Sequence, residues 1–176
     1  TVRYELEWSN QDIPFDRGVV ADRSGKLGVI PVTRFLGEPG DGPMTAEVTG
    51  HQLELQHNLD KNWVLLLGGA YRSTDLSGFG QNPELAVARQ AYYLDGQTLS
   101  RQRRYTDYAS NDLIGRVELS GGFKSGDMNH HLLVGADYDK FELDRLQTRY
   151  RPPVVAAGQS SQVRNSVDIF NPVYGF

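Results

Sequence analysis

From His51 to Ser73 the chain alternates apolar and polar residues, breaks once, and alternates again. Leu53 and Leu55 interleave with Gln52, Glu54 and Gln56. Successive side chains on a strand point to opposite faces, so this segment folds with one apolar and one polar side. Asn58, Asp60, Lys61 and Asn62 supply turn chemistry, and the period resumes beyond them. Trp63, Leu65, Leu67, Gly69 and Tyr71 then fall on one face, with Val64, Leu66, Gly68, Ala70 and Arg72 on the other. A tilted strand climbs about 2.3 Å per residue along a barrel axis, which puts Trp63 and Tyr71 about 18 Å apart. That approaches the apolar band of about 25 Å, edged by aromatic girdles, of an outer-membrane β-barrel. A soluble hairpin shows the same alternation, and this segment alone does not separate the two.

The rest of the chain repeats the pattern. Val2, Tyr4, Leu6 and Trp8 share one face of a strand expected over residues 1–10. Strands follow over 45–58, 62–76, 98–123 and 129–147. In the fourth, Leu113, Gly115, Val117, Leu119 and Phe123 share a side; in the fifth, Leu132, Val134, Ala136 and Tyr138 do. Residues 11–43, 77–97 and the Pro- and Ser-containing tail lose the period and read as long connections. Asn82-Pro83-Glu84-Leu85-Ala86-Val87-Ala88-Arg89-Gln90 has an N-cap residue, Pro at the first helical position and good helix formers, so a short helix is expected there. Long and short connections alternate strictly. Outer-membrane barrels place short turns at one rim and long loops at the other, whereas a soluble meander has no reason to sort loops by edge.

Composition is compatible with that reading. The chain has 176 residues, 39% of them hydrophobic, and a mean hydropathy of −0.48. No apolar run approaches the ~20 residues of a membrane helix, but a barrel needs only every second residue apolar. There is no cysteine, hence no disulfide framework. The net charge of −4 argues against a nucleic-acid partner. The chain opens in mid-strand without Met and stops at Val173-Tyr174-Gly175-Phe176 without a closing element, so it is expected to be an internal piece of a longer protein.

In Pro14-Phe15-Asp16-Arg17-Gly18, Arg34-Phe35-Leu36-Gly37-Glu38-Pro39, Gly50-His51-Gln52-Leu53-Glu54-Leu55-Gln56-His57 with Asn62-Trp63, His130-His131-Leu132-Leu133-Val134-Gly135-Ala136-Asp137-Tyr138, and Asp168-Ile169-Phe170-Asn171-Pro172-Val173-Tyr174-Gly175, the sequence resembles the barrel of a TonB-dependent siderophore receptor. The likeness runs in order across nearly the whole chain. It implies an all-β, antiparallel up-and-down meander of about five strands, cut from a 22-stranded transmembrane barrel of the outer membrane. Residues 1–176 would be a partial barrel domain without its plug. The implied activity is TonB-dependent import of ferric siderophores. Iron enters only within that ligand, with no cofactor bound directly. The implied partners are the ferric siderophore, the TonB complex through an N-terminal part not in this chain, and outer-membrane lipid with lipopolysaccharide. A passive porin-like or adhesin barrel, and a soluble lipocalin-like binding module, are the competing readings.

On the barrel reading Leu53, Leu55, Leu65, Leu67, Val117, Leu119, Leu132 and Val134 face lipid. Glu5, Glu7, Gln52, Glu54, Gln56, Arg72, Asp112, Arg116, Glu118, Asp137 and Asp139 then line the lumen. The bland alternative for the second set is a hydrated sheet face. Tyr92, Tyr93, Arg101, Arg103, Arg104, Tyr105 and Tyr108 gather where the second long connection meets the fourth strand. Aromatics and arginines suit an oxygen-rich, anionic chelate through stacking and charge-assisted hydrogen bonds; an aromatic girdle with arginines on lipopolysaccharide phosphates is the alternative. No metal site is expected. Adjacent His130 and His131 point to opposite faces, His51 and His57 lie about 20 Å apart, and Asp137 and Asp139 oppose Glu142 and Asp144. Neither a nucleophile with a base nor a phosphate-cradling glycine loop is present, so no enzyme is expected.

Overall fold

A computed structural model describes residues 1–22, 24–84, 86, 89, 95–154, 156 and 165–175. The described chain is all-β. Strands β1 (Val2–Ile13), β2 (Met44–Asn58), β3 (Trp63–Pro83), β5 (Arg101–Ser125) and β6 (Met128–Tyr150) form one antiparallel sheet in the order β1-β2-β3-β5-β6. A second, two-stranded sheet pairs β4 (Thr98–Leu99) antiparallel with β7 (Val167–Asp168). Side-chain contacts mark the main register. Tyr4 bonds His51 at 2.7 Å and Asp12 accepts from Thr45 at 3.4 Å. Further along the sheet, Arg116 meets Asp137 at 2.7 Å and Phe123 stacks on His130. In each pair of strands the partner number falls as the first rises, as antiparallel pairing requires.

The two tight turns are built by their own residues. The Asp60 carboxylate accepts from the Asn62 and Trp63 amides at 2.6 and 3.0 Å, and Leu59 N–H donates to the Trp63 carbonyl at 2.9 Å. Gly126, at φ +60°, closes the β5–β6 turn in a conformation that side chains disfavour. Beside the first turn, a Cβ added to Gly121 would stand 2.3 Å from the Trp63 indole, so the missing side chain on β5 lets Trp63 lie across it.

Two compact units share these strands. The first comprises Thr1–Gln11, Ala46–Asp75 and Tyr108–Asp144. Among its described residues none is a buried hydrophobe; Tyr4, Leu6, Trp8, Leu53, Leu55, Leu67, Val117, Leu132 and Val134 are all exposed. The second comprises Asp12–Thr45, Leu76–Asp107 and Arg145–Phe176. It holds a small core of Ile30, Leu36, Leu99, Val167 and Ile169, against which Val19, Val20, Val29 and Tyr174 pack.

The expected strands all form, but they run further than the apolar pattern does. β3 reaches Pro83 and β6 reaches Tyr150, while β5 begins at Arg101. Thr98–Leu99 leaves the fourth strand and pairs with β7, an element the sequence reading did not anticipate in the tail. The expected helix does not start at Asn82, because Asn82 and Pro83 still belong to β3; most of its body, including Leu85, Val87, Ala88 and Gln90, lies outside the described residues. Within the stretch expected to be helical, the described Arg89 amide donates to the Ala86 carbonyl at 2.9 Å, a 3₁₀-type bond, and a 3₁₀ turn, Pro39–Asp41, forms in the first long connection, with Glu38 as its N-cap.

Candidate functional site

Alternate residues of β5 point to opposite sides, and each side gathers a different partnership. Arg101, Arg103 and Tyr105 share one side. Arg101 is fully buried. Its Nε donates to the Asn165 carbonyl, its Nη1 to the carbonyls of Gly37 and Leu36, and its Nη2 to Glu38 Oε2 at 3.1 Å. Glu38 Oε1 in turn accepts from the amides of Gly175 and Gly40 at 3.0 and 3.4 Å. One guanidinium thus ties the first long connection and the tail to the start of β5. Burial lowers the Arg101 pKa from its ordinary value, and the hydrogen bond to Glu38 works against that shift. Arg103 grips Asp41 Oδ1 through Nε and Nη2 at 2.9 and 2.6 Å and lies 4.2 Å over the Phe79 ring, which also packs on Tyr105.

Arg104 occupies the other side, in different company. It donates from Nε and Nη2 to Gln102 Oε1 at 3.3 and 3.2 Å, a neutral acceptor. The β5–β6 register, carried along both strands, sets Arg104 beside Arg149, and Arg151 follows directly on the end of β6. Arg17 reaches the same region because Phe15, over whose ring it lies at 5.2 Å, packs on Gly80 of β3. There a Cβ would come within 2.3 Å of the ring, so glycine makes the approach possible. Arg151 binds Glu84 through two hydrogen bonds of 2.6 and 2.7 Å, and Arg89 donates to the Pro152 carbonyl. Burial first, then the fields of Arg149, Arg17 and Arg151, hold the Arg104 pKa below its ordinary value, and only Glu84 offsets them. Among the described residues, Arg17, Arg149 and Arg151 thus bring positive charge to Arg104, and Arg151 and Arg89 bring it to Glu84. That field, in a partly dewatered place, favours an anion.

The structure divides the arginine and tyrosine set read from the sequence. Arg101, Arg103 and Tyr105 lie on one side of β5, Arg104 and Tyr108 on the other; Tyr92 and Tyr93 lie outside the described residues. Arg101 is ion-paired with Glu38 and Arg103 with Asp41, whereas the hydrogen bonds of Arg104 go to the neutral amide of Gln102, so among the described arginines of the set Arg104 is the one bonded to no carboxylate. Arg17, Arg149 and Arg151 escaped the sequence reading. The available signal was antiparallel pairing, which sets the start of β5 against the end of β6, where Arg145, Arg149 and Arg151 crowd.

In the first unit the polar side brings together most of its expected members. Arg72 reaches Glu7 at 3.5 Å, and Arg116 holds Asp137. One shallow hollow is lined by Glu5, Glu7, Gln52, Arg72 and Asp112, another by Gln52, Glu54, Arg116 and Glu118. Gln56 exchanges backbone hydrogen bonds with Thr1 at the sheet edge, and Asp139 lines neither hollow. Leu53, Leu55, Leu67, Val117, Leu132 and Val134 are exposed, while Leu65 and Leu119 are partly covered. Among the described residues no three His, Asp or Glu side chains are grouped to hold a metal ion, and no helix is long and apolar enough to cross a membrane, which leaves strands untouched.

The fold defines a class: an all-β chain built on one antiparallel meander whose longest strand has 25 residues, far above the five or six usual in globular domains. Within that class, 162 residues, 92% of the chain, align at 36% identity with the metal-pseudopaline receptor CntO of Pseudomonas aeruginosa strain UCBPP-PA14. The protein of the same name from strain PAO1 aligns over an equal length at 35% identity. The chain spans about a fifth of these relatives, 21% of their length. No family model matches it.

Proposed function

We propose that residues 1–176 form part of the wall of an outer-membrane receptor that imports a metal bound to a small organic chelator, with energy delivered through TonB. One observation carries this: a sheet of very long antiparallel strands with exposed leucines and valines on one side and ion-paired carboxylates on the other. Such a sheet has no core of its own, and lipid on one side with a hydrated lumen on the other accounts for both surfaces. Likeness to metal-pseudopaline receptors supports the receptor over a passive pore. The resemblance read from the sequence narrows the cargo to ferric siderophores; the relatives' name broadens it to a metal–pseudopaline complex as well. The remaining barrel strands, the plug and the TonB contact belong to chain beyond these residues. The experiment is metal accumulation by metal-starved cells, with and without the gene for the full-length receptor, and with the TonB system intact or disabled. Chelate-dependent accumulation that needs both is expected. Equal accumulation without TonB would favour the porin-like reading, and recovery of the protein in the soluble fraction would favour the lipocalin-like one.

A further inference from the structure

The charge around Arg104 is not spent on the fold. Glu84 answers Arg151. Arg104 meets only the neutral Gln102, Arg17 lies over a ring, and Arg149 is exposed with no acid partner among the described residues. The bland reading is a set of separately hydrated arginines. It fails at Arg104, which is half-buried, and at Asn82, which is 8% exposed while its Oδ1 has no hydrogen-bond partner. The β3–β5 register, marked by the Phe79–Tyr105 contact, sets Asn82 opposite Gln102, next to Arg104. Buried acceptors are rarely left unpaired. The region therefore offers guanidinium forks for oxyanions and one buried acceptor for a donor.

We propose that Arg17, Arg104 and Arg149 form a subsite for the free carboxylates of an incoming chelate, while Asn82 Oδ1 accepts an N–H or O–H of the same molecule. This rests on the receptor reading for the word chelate; the shared chemistry is a multiply charged oxyanion, which a lipid phosphate also presents. Planar guanidinium groups pair two-pronged with carboxylates, and three of them select a ligand with at least two negative groups beyond those spent on the metal. A neutral chelate of equal size gains nothing there.

The test is calorimetric titration of the full-length receptor in detergent with two probes, citrate and an uncharged ferric trihydroxamate. Citrate should bind the wild type, more weakly as salt is raised. Arg104→Gln and Arg149→Gln should each weaken citrate at least about tenfold. Arg104→Lys, a point charge without the fork, should recover only part of the loss. Arg17→Gln, a change at an exposed position, should weaken citrate and spare any trihydroxamate binding. Three results would overturn the subsite: no citrate binding by the wild type, equal citrate binding by all variants, or equal loss of both probes. A fourth is loss of copurifying lipopolysaccharide phosphate in the arginine variants with citrate binding unchanged, which would assign the cluster to lipid. Titration of purified protein needs no transport. Uptake in cells with citrate binding indifferent to Arg104 therefore sinks the subsite alone, and citrate binding without uptake sinks the transport reading alone.

Discussion

The two units of this chain use the same strands and solve opposite problems. The first has exposed leucines and no buried hydrophobe among its described residues; the second has a five-residue apolar core and a buried Arg101–Glu38 pair. A segment that gains nothing by burying its leucines depends on what surrounds it. A segment with a core and a desolvated ion pair carries its own stability and is correspondingly intolerant of change. The difference teaches where a mutation should be felt: through the environment in the first unit, through internal packing in the second.

The largest effect is expected at Arg101. Arg101→Met in the full-length protein leaves Glu38 buried without its partner and should cost about 3–5 kcal/mol locally. Hydrogen exchange of the 36–41 and 165–175 amides would read this, and adding Glu38→Gln should recover much of the loss. Unchanged exchange would mean that the pair does not hold these segments. Next, Leu36→Ala should cost about 2–5 kcal/mol by the same readout, because Leu36 is 1% exposed. Leu53→Ala in the first unit, measured in detergent, should cost far less; comparable losses would erase the contrast. In a bilayer, Leu67→Arg should cost about 2–4 kcal/mol if it sits near the midplane, and Glu54→Gln a small fraction of that. Equal costs would mean the sheet has been read inside out.

The smallest effect concerns acid. The hydrogen bond from Arg151, the largest cause, holds the Glu84 carboxyl below its ordinary value of 4.5. A carboxylate with a lowered folded-state pKa contributes stability that is complete above its unfolded value and fades as pH falls through the folded one. Exchange around Glu84 should therefore quicken as pH drops below about 4.5, once corrected for intrinsic rates. Glu84→Gln should flatten that dependence. Arg151 is partly solvated, so the whole effect should stay within about 1 kcal/mol. A wild-type profile identical to that of Glu84→Gln would show the pair to be idle.

Much of the sheet was legible because alternation is a local signal. Leu53, Leu65, Val117 and Val134 announce their faces within a few residues, and Asp60 and Gly126 announce the turns. Strand ends were not, since β3 continues past Leu76 through Gly78, Gly80 and Asn82 with Phe79 as its one large hydrophobe, held by ladder hydrogen bonds that any sequence can make. The β4–β7 pair joins residues 98 and 168, too short and too distant to leave a trace. Arg101 looked like its neighbours Arg103 and Arg104. Its burial depends on Gly37, Glu38 and Asn165, which only the folded chain brings to it. The arginine cluster was hidden for the same reason: Arg17, Arg104 and Arg149 lie on three separate stretches.

Gly50 of β2 is flanked by Glu7 of β1, 3.4 Å from where its Cβ would be, and by Arg72 of β3 at 4.0 Å. The gap lets an edge strand grip a strand that is not its neighbour. Mechanically, β1 has two tethers, its ladder to β2 and a charge hooked over β2 onto β3. The hook is directional. Sliding β1 by two residues one way brings Glu5 over the gap, and the grip survives; sliding it the other way brings Ser9, which carries no charge, and the grip is lost. A solvent-exposed pair contributes little to strength, but it makes a two-residue slip of β1 along β2 less favourable in one direction than in the other.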